Sequence, residues 1–375
     1  MSDQGDTPSA NAGKTVIEKL GGIRDRIDAI DNKILSLLSD RAACAEEVGE
    51  IKRGAGEENI KFYRPEREAQ ILRRLKGLNK GPLADERITA IFREVISSCL
   101  ALEQQINVAY LGPKGTFTET AVHKHFGQGV GSSPFNQITD VFREVEAGTA
   151  DYGVVPIENS TGGIVSHTLD RFVSSSLKIC GEIHLMIHQN LMCKNQDMSG
   201  VTRIYSHEQS LMQCRDWLAR HYPDVVKVPV ASNAEAARLA SEDPHSAAIG
   251  GENAAKQYAL NIVSPHIQDS ANNMTRFLVI GKEEIPASGN DRTSLLISTK
   301  NRAGALYKLL EPLERHHLDM TNIESRPAPD THWGYFFFMD IDGHVSDADM
   351  QLALAELEGE AELVRVLGSY AKAIL

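Results

Sequence analysis

The sequence has few cysteines, and their spacing is irregular. The 375 residues include five, Cys44, Cys99, Cys180, Cys193 and Cys214, and no two of them form a C-x-x-C pair. An odd, scattered set of this kind disfavours both a disulfide framework and a zinc site. We therefore expect neither redox nor metal chemistry from this chain.

Long apolar runs and an excess of positive charge are also missing. The first residues, MSDQGDTPSANAGK, are polar and lack the apolar stretch of a signal peptide, and no later run has the length of a transmembrane helix. The net charge of −12 disfavours binding to nucleic acid or anionic membranes, because these partners attract basic surfaces. The composition predicts a cytoplasmic protein of two or three domains that binds neither partner.

The charged residues are unevenly distributed along the chain. Residues 1–105 carry 17 Lys and Arg against 18 Asp and Glu, whereas the remaining 270 residues carry 22 against 33. Dense, balanced charge is typical of long helices, and such a segment can spare cations for a small anion. After a disordered tail at residues 1–14, the apolar spacing predicts helices near residues 15–53, 65–79 and 84–105.

An arginine occupies the apolar seam of the first predicted helix. From Leu20 to Ile51 the apolar residues recur in steps of three and four, and Arg41 fills the one slot missing from that series. A coiled-coil dimerisation helix would explain the apolar residues. A guanidinium in the seam is nevertheless costly unless a partner meets its charge.

Helix geometry relates Arg41 to two other cations. Lys52 lies about 20° round the helix from Arg41 and about 16 Å along it, so both side chains can reach one pocket. Arg24 lies about 42 Å from Lys52, which is too far for one small ligand, and the whole helix is about 58 Å long. The pattern predicts an intertwined dimer, in which each pocket takes Arg41 and Lys52 from one protomer and Arg24 from its partner.

These helices resemble the all-helical chorismate mutases. The run LGGIRDRIDAIDNKILSLLSDRAACAEEVGEIK is similar to the family's first helix, with Arg24, Arg41 and Lys52 at its ligand-binding positions. The run YRPEREAQIL is similar to its next site segment, with Arg67 and Glu68 as the matching pair. The resemblance implies a Claisen rearrangement of chorismate to prephenate, which needs no cofactor.

The third helix departs from the family pattern at two positions. In ISSCLALEQQ, Cys99 stands where relatives have a small polar residue, and Glu103 stands where many have Gln. The resemblance implies that the two arginines bind the substrate carboxylates, that Glu68 holds the ring hydroxyl, and that Lys52 and Glu103 lie at the breaking ether oxygen. A carboxylate only accepts hydrogen bonds, so Glu103 can donate one only when it is protonated.

From Asn107 the sequence alternates predicted strands and helices, which indicates an α/β domain. In LGPKGTFTETA, Thr116 and Glu119 form a capping-box pattern behind a glycine-rich turn, which can expose backbone N–H groups to an anion. In VVPIENSTGG an apolar strand ends in a cluster of polar residues, which is a common site position. A simple turn and a solvated loop remain open readings of these two features.

Together with SHEQSLMQC and NMTRFLVIG, these stretches resemble the prephenate dehydratases over residues 107–283. The resemblance implies two lobes similar to periplasmic binding proteins, with prephenate in the cleft between them and no cofactor. Arg276 would anchor the pyruvyl carboxylate, Thr275 would donate to the departing hydroxyl, and Glu208 replaces a proline often seen in the family. The residues that match the family's site are Asn159, Ser160, Thr161, Gln209, Thr275 and Arg276.

After a predicted linker, PASGNDR, the last segment has the element order βαββαβ of a ferredoxin-like fold. It resembles an ACT domain, with the motifs GALY and ESRP that bind phenylalanine in dehydratase regulatory domains, and ESRP of a partner chain would close the pocket. A module used only for dimerisation is the alternative. The implied effector residues are Gly304, Ala305, Leu306, Glu324, Ser325, Arg326 and Pro327.

The three resemblances identify the chain as a member of the bifunctional chorismate mutase/prephenate dehydratases, inhibited by phenylalanine. The predicted fold is multidomain: an all-α mutase domain at residues 15–105, an α/β dehydratase domain at 106–285 and an α+β ACT domain at 293–375, assembled as a homodimer or a higher homo-oligomer. A mutase fused to a prephenate dehydrogenase would need a nicotinamide-binding fingerprint, which the sequence lacks. An amino-acid-sensing scaffold is the other alternative, and the presence of Lys52 and Thr275 argues against it.

Overall fold

The computed structural model describes residues 9–54, 63–299, 303–327 and 334–374, with side chains from residue 19 onwards. The chain divides into two compact units. The first contains the residues before Tyr63 together with Ser98–Gln104, and the second contains Tyr63–Ser97 and the residues from Gln105 onwards. No helix in the described part of the chain is long and apolar enough to cross a membrane.

The first unit consists of helix α1 (Ser9–Gly54) and the last turn of helix α3 (Asp85–Glu103). Helix α1 begins earlier than predicted, so residues 9–14 are helical rather than a disordered tail; the two alanines in that stretch favour a helix. Residues 1–8 of the predicted tail lie outside the described residues. The predicted apolar seam is exposed on this protomer: Leu20, Ile23, Ile27, Ile30, Ile34, Leu37 and Ile51 are each between 46 and 67% exposed.

The second unit begins with helix α2 (Pro65–Leu78) and the larger part of α3. Pro65 occupies the first turn of α2, where its missing N–H group is not needed. The buried ring of Tyr63 lies just before this helix and packs against the rings of Phe126 and Tyr152, and its hydroxyl lies 3.0 Å from His125 Nε2. These contacts fix the start of α2 on the α/β part of the same unit.

The α/β part has two lobes. The sheet of the first lobe has the strand order β2-β1-β3-β11-β5; β1, β2 and β3 are parallel, and β11 is antiparallel to both of its neighbours. The elements of this lobe are β1 (Asn107–Leu111), α4 (Phe117–Phe126), β2 (Gly131–Phe135), α5 (Ile138–Ala147), β3 (Tyr152–Asn159), β4 (Gly163–Ile164), α6 (Ser166–Ser174), β5 (Lys178–Met186) and β11 (Met274–Gly281).

The second lobe has its own sheet, with the order β10-β6-β9-β7-β8. The chain passes between the lobes twice, from β5 to β6 and from β10 back to β11, which confirms the predicted two-lobed α/β fold. Its elements are β6 (Asn190–Cys193), β7 (Arg203–His207), α7 (Glu208–Gln213), α8 (Arg215–His221), β8 (Val226–Val230), α9 (Asn233–Glu242), β9 (Ser246–Gly250), α10 (Glu252–Gln257) and β10 (Asn261–Ser264).

The C-terminal domain has the predicted βαββαβ order. Its antiparallel sheet runs β13-β14-β12-β15, with two helices packed on one side. The elements are β12 (Asp291–Thr299), α11 (Ala305–Arg315), β13 (Met320–Pro327), β14 (Tyr335–Asp342), α12 (Ala348–Glu360) and β15 (Leu363–Ala371).

The C-terminal sheet shares a hydrophobic core with the first lobe. Phe142 and Phe172 of the lobe belong to the same buried cluster as Phe338 and Tyr370 of the C-terminal domain. The two backbones approach so closely that a Cβ atom on Gly368 would lie 2.2 Å from the carbonyl oxygen of Ile179, so this position requires glycine. The two domains are therefore packed as one body at this contact.

The predicted linker PASGNDR is held in place by hydrogen bonds. The guanidinium of Arg73 on α2 donates hydrogen bonds to Ser288 and to the carbonyl of Asn290. The carboxylate of Asp291 accepts from the N–H groups of Ser288 and Gly289. The small polar residues of the linker therefore form a hydrogen-bonded turn.

Candidate functional site

The ENST run lies at the carboxyl end of β3 and turns into β4. Its second residue, Asn159, has a side-chain oxygen that accepts from the N–H groups of Thr161 (3.1 Å) and Gly162 (2.8 Å) and from Gln209 Nε2 (3.2 Å). Gln209 belongs to α7 in the second lobe. This amide oxygen therefore closes the turn of the first lobe and joins it to the second.

The other half of the Asn159 amide faces β11. Its Nδ2 donates to Thr275 Oγ1 (2.8 Å), to Asn273 Oδ1 (2.9 Å) and to the carbonyl of Met274 (3.3 Å). Backbone donors on one side and a backbone acceptor on the other fix which amide atom is nitrogen. Because Nδ2 donates to Thr275 Oγ1, the hydroxyl of Thr275 keeps its own proton for donation to a bound molecule.

Ser160 faces β11, the strand with which the chain returns to the first lobe. Its hydroxyl accepts from the N–H of Met274 (2.9 Å) and donates to the carbonyl of Asn272 (3.2 Å). The side chain therefore fixes the start of β11, where Thr275 lies.

A cavity of about 550 Å³ lies between the two lobes beside this cluster. Its wall includes Thr161, Gln209 and two residues that the sequence analysis did not select, Gln213 and Asn273. Gln213 Nε2 donates to Thr161 Oγ1 (2.7 Å), and Asn273 Nδ2 donates to Gln213 Oε1 (2.9 Å). Both residues stand inside or beside the quoted runs SHEQSLMQC and NMTRF, so their position in those motifs was the available signal.

His207 also lines the cavity and was not selected from the sequence. It caps α7, where its Nδ1 accepts from the N–H of Gln209 at 3.3 Å. In the neutral imidazole the proton must then be on Nε2, which makes that nitrogen a hydrogen-bond donor. His207 can therefore donate to a carboxylate of a bound molecule.

Gly162 lies where the two lobes meet, against the side-chain amide of Gln209. A Cβ atom at this position would lie 1.9 Å from Gln209 Nε2. Any side chain here would displace the amide that joins α7 to Asn159.

The glycine-rich turn before α4 differs from the prediction. Thr116 caps the helix by accepting from the N–H of Glu119, as expected, but the Glu119 carboxylate does not reach back to Thr116. Its buried oxygens instead accept from Tyr110, from the N–H of Gly115 and from Asn253. The N–H group of Gly115 thus donates to the chain's own Glu119 carboxylate and is not available to an external anion. This favours the alternative of a simple turn.

Two of the predicted mutase residues form an ion pair in the first unit. Lys52 Nζ lies 2.9 Å from Glu103 Oε2, and both side chains are largely buried. The Arg53 guanidinium donates to the carbonyl of Glu103 (3.0 Å). Elsewhere in this unit Arg41 is half-buried and Arg24 exposed, while Cys99 is buried.

The predicted pair Arg67 and Glu68 belongs to α2 in the second unit. Arg67 is exposed, whereas Glu68 faces Arg93 of α3 with 3.6 Å between Oε1 and Nε. Burial raises the pKa of Glu68 to about 7, although the charge and hydrogen bond of Arg93 oppose this.

The predicted effector motifs lie at the start of α11 and at the end of β13 in the C-terminal domain. Gly304 precedes α11 with a φ of 78°, a left-handed conformation that favours glycine, and Leu306 in its first turn is 40% exposed. The ESRP run forms the end of β13. Arg326 of this run donates to Ser166 Oγ (2.8 Å) and to both oxygens of Asp170 on α6 of the first lobe.

Comparison with known proteins supports each part of this assignment. The family description chorismate mutase type II matches residues 23–104, prephenate dehydratase matches residues 108–285, and ACT domain matches residues 293–359. The bifunctional chorismate mutase/prephenate dehydratase of Pseudomonas aeruginosa is 49% identical over 362 residues, which cover 96% of this chain and 99% of that protein. The chain belongs to the bifunctional chorismate mutase/prephenate dehydratase family.

More distant members of the family and solved structures agree with this. The bifunctional protein of Escherichia coli strain K12 is 34% identical over 374 residues, covering 93% of this chain and 95% of that protein. A solved prephenate dehydratase of Arthrobacter aurescens in complex with L-Phe is 33% identical with a TM-score of 0.66, covering 71% of this chain and 90% of that one. A structure described as a quorum quenching acylase, GqqA, is 25% identical with a TM-score of 0.67, covering 71% and 98% of the two chains.

One residue of the family's dehydratase motif lies away from the others in this chain. Arg276 follows Thr275 on β11, and successive strand residues point to opposite faces of a sheet. Its guanidinium is buried and donates to Glu182 (2.9 Å), to Asp340 and to the hydroxyl of Tyr370 (3.0 Å). With these partners Arg276 does not anchor a substrate carboxylate in the cleft, which corrects the prediction from the sequence.

Proposed function

We propose that this chain catalyses two successive reactions and is inhibited by phenylalanine. The first is the Claisen rearrangement of chorismate to prephenate, and the second is the decarboxylative dehydration of prephenate to phenylpyruvate. The observation that carries the second activity is the hydrogen-bonded cluster of Asn159, Gln209 and Thr275 beside the cavity between the lobes. The Lys52–Glu103 ion pair supports the first.

In the mutase reaction the protein holds a flexible dianion in a compact conformation and stabilises negative charge on the breaking ether oxygen. Arg24 and Arg41 bind the two carboxylates, since guanidinium groups pair with them bidentately. Lys52 donates to the ether oxygen, and Glu103, 2.9 Å away, orients the ammonium group. We also predict that the same substrate contacts Arg67, Glu68 and Cys99.

In the dehydratase reaction the bond between the ring and its carboxylate breaks, and the electron pair enters the ring as hydroxide leaves. Carbon dioxide, water and phenylpyruvate are the products, with one proton taken up from solvent to form the water. Thr275 assists by donating a hydrogen bond to the departing hydroxyl, because Asn159 occupies only its acceptor side. With Arg276 bound elsewhere, His207 Nε2 and the Gln213 amide are the donors for the pyruvyl carboxylate.

The assembly is a homodimer or a larger homo-oligomer. The seven seam residues of α1, which run from Leu20 to Ile51, are each 46 to 67% exposed on one protomer. An apolar stripe of about 47 Å along a helix is costly in water, and a second copy of α1 presents an equivalent stripe. A cytoplasmic location stays a prediction, which cell fractionation would test.

Phenylalanine binds the C-terminal domain at GALY and ESRP. Two observations support this part of the proposal. The family description ACT domain matches residues 293–359, and the solved prephenate dehydratase of Arthrobacter aurescens is a complex with L-Phe. Gly304, Ala305 and Leu306 would let the amino acid approach the N-terminus of α11, whose dipole suits a carboxylate.

Separate substitutions test the two activities. Arg41→Ala should abolish the conversion of chorismate while prephenate is still dehydrated, and Thr275→Ala should do the reverse. Arg26→Ala, on the exposed part of α1, and Thr202→Ala, at the surface of the second lobe, are matched controls that should keep both rates. Loss of both activities from either folded site variant would contradict the assignment. A wild-type protein that forms no phenylpyruvate from chorismate would favour a sensing scaffold.

A further inference from the structure

The partners of Arg276 come from three different strands. Its Nε donates to Glu182 on β5, its Nη1 to Asp340 on β14, and its Nη2 to Tyr370 on β15. The first of these strands belongs to the dehydratase lobe, and the other two belong to the C-terminal domain. One buried side chain next to Thr275 thus joins the dehydratase sheet to the regulatory sheet.

The network around this guanidinium extends to two further side chains, Ser294 and Arg292. Ser294 of β12 donates to Asp340, and its oxygen lies 2.8 Å from the Tyr370 hydroxyl. Arg292 Nη1 donates to the same oxygen of Glu182 that Arg276 contacts, at 2.7 Å. Such a group tolerates little displacement, because moving one partner would leave a buried charge unpaired.

The effector motif approaches this network. Glu324 of ESRP lines a small cavity of about 30 Å³ together with Arg276 and Asp340. Glu324 is also the register partner of Phe338 on β14, the strand that carries Asp340. A change in β13 on ligand binding would therefore reach Asp340 through the adjacent strand.

We propose that Arg276 is a positioning residue for Thr275, held by Asp340 and Tyr370 of the C-terminal domain, and that phenylalanine inhibits the dehydratase by altering this hold. This rests on the proposed function and specifies how the regulatory domain controls that site. Thr275 and Arg276 are consecutive on one strand, so a rotation of β11 that follows the guanidinium also moves the Thr275 hydroxyl.

Two nearly isosteric variants on the regulatory side test the proposal in the full chain. Asp340→Asn removes the charge that faces Arg276, and Tyr370→Phe removes only its hydroxyl acceptor while the ring stays in the core. Asp349→Asn is the matched control, since it makes the same change at an exposed position on α12, outside this network. Circular dichroism and thermal melting would establish that each variant is folded.

We expect both test variants to lower dehydratase kcat by about tenfold with KM changed by less than about twofold, because Thr275 acts on the departing hydroxyl. Mutase kcat should stay unchanged. The dissociation constant of phenylalanine, measured by calorimetry, should change by less than about threefold, while the maximal inhibition at saturating phenylalanine falls to about half of the wild-type value. The Asp349→Asn control should behave as wild type.

Hydrogen exchange provides a readout that does not depend on activity. Backbone amides near residues 274–277 should exchange faster in Asp340→Asn and Tyr370→Phe than in Asp349→Asn. Test variants that keep wild-type kcat, inhibition and exchange would overturn the proposal, and so would a control that shows the same losses. Failure of the proposed function would instead show in the wild-type protein, as missing dehydratase activity or missing inhibition, while the exchange comparison still decides whether Arg276 holds β11.

Discussion

At the scale of single residues, Glu182 has a strongly perturbed environment beside Arg276. Its burial alone would raise the pKa of the carboxyl. His184, whose Nε2 lies 3.7 Å away, and the charges of Arg276 and Arg292 outweigh that effect and lower the pKa to about 2. The ionised form is thus strongly favoured in the folded protein, and its stabilisation depends on pH.

We predict that this carboxylate makes the chain acid-sensitive. In the unfolded chain the pKa of a Glu carboxyl is about 4.3. The stabilisation of the folded state by Glu182 is therefore fully present above that pH and is lost as pH falls towards about 2. The lost free energy of unfolding is on the order of 3 kcal/mol. Melting temperatures measured from pH 7 to pH 3 should fall steeply for the wild type. Glu182→Gln should already melt lower at pH 7 and depend less on pH.

The matched control for this prediction is Glu284→Gln, because the Glu284 side chain is 85% exposed and its carboxylate lies 3.7 Å from Lys178 Nζ. Its melting curves should follow the wild type at every pH. Equal acid sensitivity in Glu182→Gln and the wild type would show that other carboxylates cause the effect.

The motif TRF shows what could not be predicted from the sequence at the level of single residues. The sequence predicted that Asn159, Thr161, Gln209 and Thr275 would meet, and the structure brings them together. It also predicted Arg276 in the same cleft, because adjacent letters of a motif look equivalent in a sequence. Strand alternation places the two side chains on opposite faces, and only the partners of the arginine reveal which face contains the cleft.

At the scale of elements, the helix and strand assignments could be predicted because periodicity and capping are local properties. The three N-terminal helices and the order βαββαβ are confirmed. One local prediction was wrong, because residues 9–14 extend α1. The linker PASGNDR is fixed by Arg73, a partner 215 residues away from Ser288 that no local pattern can indicate.

Helix α1 leads to a prediction about the shared mutase pockets. If each pocket takes Arg24 from one protomer and Lys52 from the other, neither Arg24→Ala nor Lys52→Ala should be active alone. In a mixed dimer of the two variants, one pocket contains both substitutions and the other contains neither. Co-expression should therefore restore about one quarter of the wild-type mutase activity, since about half of the dimers are mixed and each has one intact pocket.

A second mixture serves as the control for this complementation. Arg41→Ala combined with Lys52→Ala should restore nothing, because both residues come from the same protomer and every pocket is then damaged. Recovery in that mixture, or none in the first, would contradict the exchanged arrangement of α1.

At the scale of the whole molecule, the regulatory domain is part of the dehydratase core. Leu296, Phe338, Leu367 and Tyr370 share a buried cluster with the first lobe, and Arg276 depends on two acceptors from the same domain. Neither contact could be inferred from the sequence, because both are long-range and ACT domains are recognised by motifs that face a ligand. Regulation and stability are therefore linked in this chain.

This linkage predicts the behaviour of a protein shortened after Glu284. Phenylalanine should no longer inhibit it, because GALY and ESRP are removed. It should also melt well below the full chain, since the cut exposes the cluster around Phe142 and Phe172 and leaves Arg276 with Glu182 alone.

The full-length variant Leu306→Asp separates the loss of inhibition from the loss of stability. Leu306 is 40% exposed, so this change should abolish inhibition at an unchanged melting temperature. Dehydratase assays with and without phenylalanine, together with melting curves, would measure both. Inhibition of the shortened protein would place the effector site elsewhere, and a melting temperature equal to the full chain's would contradict the shared core.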